Sequence, residues 1–354
     1  MTVAVDAMGG DRAPAAIVEG SVRATALQGC PGIVLVGHRP TLDELLDGAL
    51  DASRAGGVEP NPDLITLVHA DQAVEMDESP TAALRRKPDS SIAKCIALAA
   101  AGEASAIVSA GNTGALVASS LRSLPLPSVR RPGIAVTLPS MRNGTTVIDV
   151  GANVHCKPSH LFDYGIMATE FARCFLGIPK PTIGLLNIGE EDEKGNELVR
   201  RTMELFRESD LAFIGNVEGQ DVFSGRCDIV VCEGFVGNVI LKVSEGFAET
   251  TLSWLSDAVA AKSADDRERA VWSDALSVFR AHTDYSNYGG AILLGVATTC
   301  VICHGRSEAS AITNAIRSAD RFVRAGVHEH VRQGLEARRA SRPRDAAGEI
   351  LERS

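Results

Sequence analysis

Residues 2–36 read TVAVDAMGGDRAPAAIVEGSVRATALQGCPGIVLV. A short apolar run, Thr2–Asp6, enters a glycine turn, and a helical pattern over Ala15–Leu27 leads to a second apolar run, Gly32–Val36. Parallel strands are joined by crossovers of a dozen or more residues, usually through a helix. The stretch therefore predicts a strand–helix–strand unit with a parallel strand pair.

The same alternation continues through the chain. Nine further strands are predicted, at Leu64–His69, Ala106–Ser109, Ile134–Leu138, Thr146–Asp149, Ile183–Asn187, Ala212–Gly215, Asp228–Cys232, Ala291–Leu294 and Cys300–Cys303. Helical patterns between the strands include Ser90–Ala101, Leu161–Leu176, Glu197–Glu208 and Ala309–Val323. This order is typical of an α/β fold, a mainly parallel sheet sandwiched by helices. No internal repeat or linker divides the chain, so we predict a single domain over residues 1–333.

Residues from about 246 to 283 interrupt the alternation with two consecutive helices around the charged turn SADDRERA. Their apolar positions fall on two faces, formed by Leu252, Leu255 and Val259 and by Trp272, Leu276 and Phe279. We expect either a helical protrusion that meets a second subunit or a membrane surface, or an ordinary helix pair packed on the domain. Residues 334–354 are polar and are predicted to be a frayed terminal helix or a disordered tail.

Composition and charge exclude several classes of protein. The 354 residues carry a formal charge of −10, whereas broad binding to nucleic acid or to anionic membranes needs excess Lys and Arg. The start, MTVAVDAMGGD, has no secretory signal pattern, and no apolar run reaches the roughly 18 residues of a membrane span. Eight scattered cysteines without an export signal predict reduced thiols in a cytoplasmic protein.

Glycine-rich and polar turns follow many of the predicted strands. They lie at 6–11, 109–114, 149–153, 187–196, 215–219, 233–238 and 286–290. Ligands of open α/β sheets bind beyond the carboxyl ends of the strands, so we expect these turns to share one rim. A single glycine turn often does no more than permit a positive φ, but together these turns offer many N–H groups and amides to an anion.

The turn Gly111-Asn112-Thr113-Gly114 is the best single candidate for an anion site. The helical pattern Ala115–Leu124 follows it directly, so the free N–H groups of the helix start would point at a phosphate. Lys194 is a second candidate, since it lies between the acidic run Glu190–Glu193 and a helix start. It is either a surface residue or a group that neutralises phosphate charge.

Nucleotide and nucleophile motifs are missing from the chain. No two glycines are separated by one residue, so the dinucleotide fingerprint G-x-G-x-x-G does not occur, and neither does a P-loop or a G-x-S-x-G elbow. Cys300 and Cys303 lack a second ligand pair at zinc spacing and are predicted to be core thiols. Asp6 and Asp11 flank a glycine turn, where turn capping is favoured over metal binding. We therefore expect neither a cofactor nor a metal.

From Val3 to about Ala325 the sequence resembles the PlsX family, the acyl-ACP:phosphate acyltransferases of bacterial phospholipid synthesis. The motifs that carry the resemblance are VAVDAMGGD, ALRRKPDSSI, SAGNTGAL, RPGIAVTLPS, DVGANV with KPSHL, GLLNIGEEDEKGNEL, FIGNVEG, EGFVGNVILK and YSNYGGA. The resemblance implies a fold related to phosphotransacetylases and isopropylmalate dehydrogenases, and it implies a homodimer.

The resemblance also implies site residues. Lys194 of KGNE and Asn238 of GFVGN match positions that look catalytic in the family. The predicted phosphate- and substrate-binding residues are Gly111, Asn112, Thr113, Gly114, Asn153, Asn187, Asn216 and Gly237. The chain departs from the family pattern at Glu190, where Thr is expected, and at Glu233, where Asp is expected.

The implied reaction converts fatty acyl-ACP and inorganic phosphate to acyl phosphate and ACP, which feeds glycerol-3-phosphate acylation. A thioester is already activated, so no protein nucleophile is needed. We expect Lys194 and the Gly111–Gly114 helix start to hold phosphate, while Asn238 or a backbone N–H meets the oxyanion. Acyl carrier protein is acidic and is expected to dock on the basic residues Arg85, Arg86, Lys87, Arg130 and Arg131.

Two other functions stay open at this point. A nicotinamide- and metal-dependent decarboxylating dehydrogenase would use a related fold, and a non-catalytic scaffold would recruit lipid-synthesis partners. Peripheral membrane contact, or association with the glycerol-3-phosphate acyltransferase, is a further expectation. Six acids against four bases between residues 246 and 283 argue against direct membrane contact.

Overall fold

The computed structural model describes residues 1–142, 144–262, 266–283 and 290–340. Its strands are β1 Thr2–Asp6, β2 Gly32–Gly37, β3 Ile65–His69, β4 Ala106–Ser109, β5 Gly133–Leu138, β6 Thr145–Ile148, β7 Thr182–Leu186, β8 Ala212–Val217, β9 Ile229–Val231, β10 Ala291–Leu294 and β11 Thr299–Ile302. Each strand predicted from the sequence is present, and the bounds differ by at most two residues.

The helices are α1 Ala15–Thr25, α2 Arg39–Ala55, α3 Pro80–Arg86, α4 Ser91–Ala100, α5 Thr113–Ser123, α6 Pro158–Cys174, α7 Glu197–Arg207, α8 Asp221–Ser224, α9 Gly234–Lys262, α10 Asp266–Thr283, α11 Ala309–Arg324 and α12 Val327–Ala340. Asparagine caps begin two of them. The Oδ1 atom of Asn112 accepts from the N–H of Ala115 at 2.9 Å, and that of Asn196 accepts from the N–H of Val199 at 3.0 Å. Each cap satisfies an N–H that the helix itself leaves unpaired.

All eleven strands form one sheet in the order β3-β2-β1-β4-β11-β10-β5-β6-β9-β7-β8. Three pairings are antiparallel, namely β10 with β11, β10 with β5, and β5 with β6, and the other seven are parallel. The predicted mainly parallel α/β fold is therefore confirmed. The antiparallel pairings reverse the direction of β6, β7, β8 and β9 relative to β1, β4 and β11.

Helices cover both faces of this sheet, and each covered face holds its own apolar core. Successive residues of β1 point to opposite sides: Val3 and Val5 belong to the apolar core that includes residues of α1, α6 and α11, whereas Ala4 belongs to the one that includes residues of α4 and α5. Strands β4, β5 and β6 are buried along their whole length. Burial of each large aliphatic side chain stabilises the fold by about 1.5–3 kcal/mol, so this sheet gives the site a rigid support.

Helix α9 is longer than the sequence pattern indicated. It begins at Gly234, directly after β9, rather than near Gly246, and runs for 29 residues. Helices α9 and α10 pack against each other, and residues 263–265 of the predicted charged turn lie outside the described residues. At the other end of the chain, α12 continues to Ala340, and Leu335 is fully buried. The predicted polar tail thus begins inside a packed helix, and residues 341–354 lie outside the described part.

Candidate active site

The glycine turns do not share one rim, contrary to the expectation from sequence. Strands β1, β4 and β11 end at one edge of the sheet, which carries Gly9, Gly111 and Gly305 and is called the glycine edge here. Strands β6, β7, β8 and β9 run the opposite way and end at the lysine edge, which carries Lys194 and Asn238. The antiparallel pairing of β5 with β6 is the reason for this division. Residues 286–289 of the last predicted turn lie outside the described residues.

The loop that carries Lys194 is braced by two asparagines from neighbouring strand ends. Asn187 follows β7 and donates from Nδ2 to the backbone carbonyl of Lys194 at 3.1 Å. Asn216, buried near the end of β8, donates from Nδ2 to the carbonyl of Glu191 at 3.1 Å. Both amides were expected to line the pocket. Their observed bonds instead fix the loop backbone, while the Lys194 side chain is exposed and makes no ion pair within the described part of the chain.

Two acidic residues of this loop, Glu190 and Asp192, are engaged by arginines. Arg226 makes a bidentate ion pair with Glu190, and Arg207 pairs with Asp192 at 2.6 Å. The pair with Glu190 raises the pKa of Arg226, and the guanidinium also approaches Asp221 at 3.4 Å. Two of the four acids in Glu190–Glu193 are thus paired with arginines. The exposed Lys194 amine is a cation that an anionic ligand can reach.

Asp149, just after β6, organises the turn beside this loop. Its carboxylate is fully buried and accepts from the backbone N–H groups of Ile134, Gly151, Ala152 and Asn153 at 2.7–3.0 Å. Burial raises the pKa of Asp149, and the four N–H donors oppose that rise. The sequence signal was an Asp at a strand end before glycine, which favours such a turn, but Asp149 was not among the predicted site residues.

Asn153 is part of the same network rather than an open ligand. Its Nδ2 donates to the carbonyl of Pro132 at 2.6 Å and to the hydroxyl of Tyr164 at 2.9 Å. Burial raises the pKa of Tyr164 far above its usual range, so the phenol stays protonated. The expected pocket-lining role of Asn153 has no support in these bonds, which anchor the turn to β5 and α6.

The first turn of α9 rests on the Asp149 turn. The N–H of Gly234 donates to the carbonyl of Asn153 at 2.8 Å. The Glu233 carboxylate accepts from the N–H groups of Phe235 and Val236 at 2.6 and 3.2 Å, so it caps the helix. Gly237 lies so close that an added Cβ would overlap the backbone oxygen of Asp149. These N–H groups are occupied, whereas the side chain of Asn238 is exposed beside Gly151.

Lys194 and Asn238 therefore stand at neighbouring strand ends. Strand β7 leads to the lysine loop and β9 leads to α9, and these strands are paired directly, with Leu185 beside Val231. An amine and a side-chain amide thus face solvent at one edge, above a backbone fixed by Asn187, Asn216 and Asp149. This arrangement can bind an oxyanion and can donate a hydrogen bond to a developing negative charge.

At the glycine edge, a buried carboxylate joins two turns. Asp6 accepts from the Ser109 hydroxyl at 2.7 Å, and that hydroxyl in turn accepts from the N–H of Gly111 at 3.1 Å. Burial raises the pKa of Asp6. Asn112 donates from Nδ2 to the carbonyls of Glu75, Met76 and Glu78 at 2.9–3.2 Å. The side-chain amide of Asn112 therefore already donates its hydrogen bonds within the fold. Helix α5 begins at Thr113, close to where the sequence predicted a helix start.

The two basic clusters lie at different places on the molecule. Arg85 and Arg86 are exposed in the last turn of α3, but Lys87 is bound to Glu78 at 2.5 Å and to the carbonyl of Ala73 at 2.7 Å. Arg130 and Arg131 are exposed just before β5. The next residue, Pro132, accepts from Asn153, so this second cluster adjoins the lysine edge.

Neither a reactive thiol nor a metal cluster stands out in the described residues. All eight cysteines are free, and burial raises the pKa of each thiol, to about 11 for Cys30, Cys156 and Cys174 and to about 12 for Cys227, Cys300 and Cys303. Within those same residues no three His, Cys, Asp or Glu side chains are grouped to hold a metal ion. Among the helices that the structure describes, none is long and apolar enough to cross a membrane.

Similarity to solved structures supports the fold. A phosphotransacetylase from Streptococcus pyogenes superposes with a TM-score of 0.57 at 16% identity, covering 91% of this chain and 94% of that one. A branched-chain phosphotransacylase from Enterococcus faecalis gives 0.52 at 14% identity, covering 91% and 99%. At these identities the likeness concerns the fold alone.

Similarity in sequence is much closer. Residues 1–330 match the family model described as fatty acid synthesis protein. A phosphate acyltransferase of Trichlorobacter lovleyi is 44% identical over 95% of this chain and 94% of its own length, and one of Pelotomaculum thermopropionicum is 43% identical over 95% and 96%. The chain therefore belongs to the fatty acid synthesis protein family, the PlsX family that its motifs resemble.

Proposed function

We propose that this protein transfers a fatty acyl group from acyl carrier protein to inorganic phosphate. The observation that carries the proposal is the pair formed by Lys194 and Asn238 at the ends of the adjacent strands β7 and β9, both exposed on a braced backbone. The Lys194 amine suits the phosphate anion, and the Asn238 amide suits the polarised carbonyl oxygen of the thioester. The 43–44% identity to relatives named phosphate acyltransferase supports the same conclusion.

The proposed chemistry is direct attack without an acyl-enzyme. A phosphate oxygen forms a bond to the thioester carbonyl carbon, and the resulting oxyanion collapses with cleavage of the carbon–sulfur bond. The carrier thiolate leaves and takes up, directly or through water, the proton that the hydrogen phosphate gives up, so the reaction balances without an oxidant or reductant. Orientation of the reactants contributes about 7–11 kcal/mol, and one oxyanion donor contributes about 3 kcal/mol.

In this mechanism Lys194 neutralises phosphate charge and Asn238 donates from its side-chain amide to the oxyanion. Asn187 and Asn216 act indirectly, because their amides hold the Lys194 loop. The glycine edge takes no part in this mechanism, since the side-chain amide of Asn112 already donates to three backbone carbonyls. The raised thiol pKa values support the absence of a cysteine nucleophile.

Acyl carrier protein would approach the lysine edge through Arg130 and Arg131. These residues adjoin the Asp149 turn, whereas Arg85 and Arg86 lie on α3, which packs against α5 near the glycine edge. An enzyme with a charge of −10 needs a local basic surface to attract an acidic carrier. Reversal of charge at Arg130 and Arg131 should raise the KM for acyl-ACP more than reversal at Arg85 and Arg86. An equal rise in the KM for acyl-ACP with both pairs of substitutions, or no rise with either, would contradict docking at Arg130 and Arg131.

The proposal includes a homodimer formed through α9 and α10. One face of α9 exposes an apolar stripe in which Val243, Phe247 and Trp254 are 64–68% exposed, and α10 adds Val271 and Trp272. Exposed apolar and aromatic patches of this kind are typical of interface cores, and one patch can pair with its own copy about a two-fold axis. The protein's acidity disfavours an anionic membrane as the alternative occupant.

Sedimentation velocity tests the dimer. The wild-type chain should sediment as a dimer, and the double variant Val243→Glu with Phe247→Glu should sediment as a folded monomer. A monomeric wild type that floats with vesicles of phosphatidylglycerol and phosphatidylethanolamine would replace the dimer by a membrane contact.

Incubation with palmitoyl-ACP and radiolabelled phosphate tests the activity. We expect an acid-labile acyl phosphate to appear as ACP thiol is released, in equal amounts. Loss of acyl-ACP that does not depend on phosphate would contradict the proposal. A change in absorbance with a nicotinamide cofactor and a divalent metal would favour the dehydrogenase alternative, and no turnover of either kind would favour the scaffold.

A further inference from the structure

A cavity of about 990 Å³ lies between helix α9 and the body of the molecule. One wall is a face of α9, which contributes Lys242, Glu245, Gly246, Glu249, Leu252 and Ser256. The opposite wall is the end of β11 with one face of α11, which contributes Val301, Ile302, Ala311, Ala315 and Ser318. The volume is that of pockets that enclose most of a small organic ligand.

The cavity lies towards the glycine edge, where β11 ends, and α9 connects it with the lysine edge, where that helix begins beside the candidate active site. Asn238 and Lys242 are four residues apart on α9, so they share the helix face that lines the cavity. Val243, Phe247 and Trp254 of the exposed stripe lie about a third of a turn round the helix from Lys242. A second copy docked on these three residues would therefore leave the side of α9 that carries Lys242 and Glu249 facing the cavity.

Gly246 is an unusual residue for its place in this helix. It lies in the interior of α9, where glycine is destabilising by about 0.5–1 kcal/mol relative to alanine. No crowding explains it, because an added Cβ would meet no atom within 4 Å. The absent side chain gives room to the cavity that Gly246 lines.

The lining also indicates the class of ligand. Val301, Ile302 and Ala315 are buried apolar residues, and Lys242 pairs with Glu245 at 2.9 Å, which neutralises the charges nearest to Asn238 along the helix. Small side chains on both walls leave space for a slender apolar chain. The other charged lining residues, Glu249, Arg280, His304 and Arg306, are exposed.

We propose that this cavity takes the aliphatic chain of the acyl donor, and that Gly246 sets how long a chain it admits. The inference rests on the proposed function, because it needs a fatty acyl thioester whose carbonyl lies near Asn238. The chain would then extend along the cavity face of α9. A larger side chain at position 246 should shorten the available space.

The test is the ratio of kcat/KM for palmitoyl-ACP to that for octanoyl-ACP. In Gly246→Leu this ratio should fall about tenfold or more, since each methylene that a pocket rejects costs about 1–3 kcal/mol. Ala311→Leu narrows the cavity from the opposite wall and should lower the ratio in the same direction. Gly48→Leu is the matched control, because Gly48 also lies inside a helix, α2, with open space around an added Cβ, and it does not line the cavity.

The ratio separates this proposal from its rivals. An unchanged ratio in both Gly246→Leu and Ala311→Leu, including an equal loss with both donors, would overturn the assignment of the cavity to the acyl chain. A wild-type enzyme that forms no acyl phosphate from either donor would instead contradict the proposed function itself.

Discussion

Asn187 donates a hydrogen bond from its side-chain amide to the backbone carbonyl of Lys194, at 3.1 Å. The same side chain accepts from the N–H of Ile188 at 2.8 Å, so it closes the loop that presents the lysine. Asn187→Ala should lower kcat/KM for phosphate by about fivefold, since one hydrogen bond contributes roughly 1 kcal/mol. Steady-state kinetics with varied phosphate measures this, and an unchanged value would show that the loop needs no such brace.

Two glycines of α9 should respond to alanine in opposite ways. Gly246→Ala should stabilise the protein by about 0.5–1 kcal/mol, because an added Cβ meets open space and alanine favours the helix. Gly237→Ala should destabilise it and reduce turnover, because the Cβ would overlap the backbone oxygen of Asp149 and displace the helix start that carries Asn238. Urea unfolding and acyl phosphate assays compare the two variants. A stabilised, active Gly237→Ala enzyme would contradict the described contact.

Thiol reagents should leave the reaction intact. Burial raises the pKa of Cys156, the cysteine beside the Asp149 turn, to about 11, so little thiolate exists near neutral pH. Treatment with iodoacetamide at pH 7.5, followed by assay, should reduce kcat less than about twofold. Mass spectrometry of an acid-quenched reaction should find no acylated protein. Detection of one acyl group bound covalently per protein chain would contradict direct attack by phosphate and would require an acyl-enzyme mechanism.

His328 should make the protein less stable in mild acid. Desolvation lowers the pKa of this histidine, and its Nδ1 is buried without a partner among the described residues. A lowered pKa in the folded state means that the unfolded chain binds the proton more readily, so stability falls as pH drops below about 6.5. His328→Leu should lose less Tm between pH 7.5 and 5.5 than the wild type, by differential scanning calorimetry. Equal losses would show that His328 is not responsible.

The sequence predicted the strands well, because each is a short apolar run that the sheet buries. It predicted helices less completely. Helix α2 is polar over much of Arg39–Ala55, and the residues of α12 that are buried, among those whose burial is described, are Val327, Val331 and Leu335. Strand direction was missed, since an apolar run reads alike in both directions. The connections after Leu138 and Leu294 did indicate antiparallel neighbours, because they are too short to hold the crossover helix that joins parallel strands.

The predicted site residues divide into those whose side chains are exposed to solvent and those whose side chains bond to the backbone of their own fold. Lys194 and Asn238 are exposed at adjacent strand ends, and their catalytic roles stay predictions. Asn112, Asn153 and Asn187 bind backbone carbonyls, a partnership that residue type alone cannot distinguish from ligand binding. Gly246 was not among the predicted site residues, because the role proposed for it rests on the empty space around it, which the sequence does not show.

The most direct test of the account is acyl phosphate formation by Lys194→Ala, with Lys180→Ala as the control. Lys194 is exposed and makes no ion pair in the described part of the chain, so the variant should fold with an unchanged Tm. Lys180 is equally exposed but precedes the opposite end of β7. We predict that kcat/KM for phosphate falls by about 100-fold or more in Lys194→Ala and stays at the wild-type value in Lys180→Ala. A folded Lys194→Ala enzyme with wild-type kcat/KM would contradict the central claim that phosphate is bound at the lysine edge.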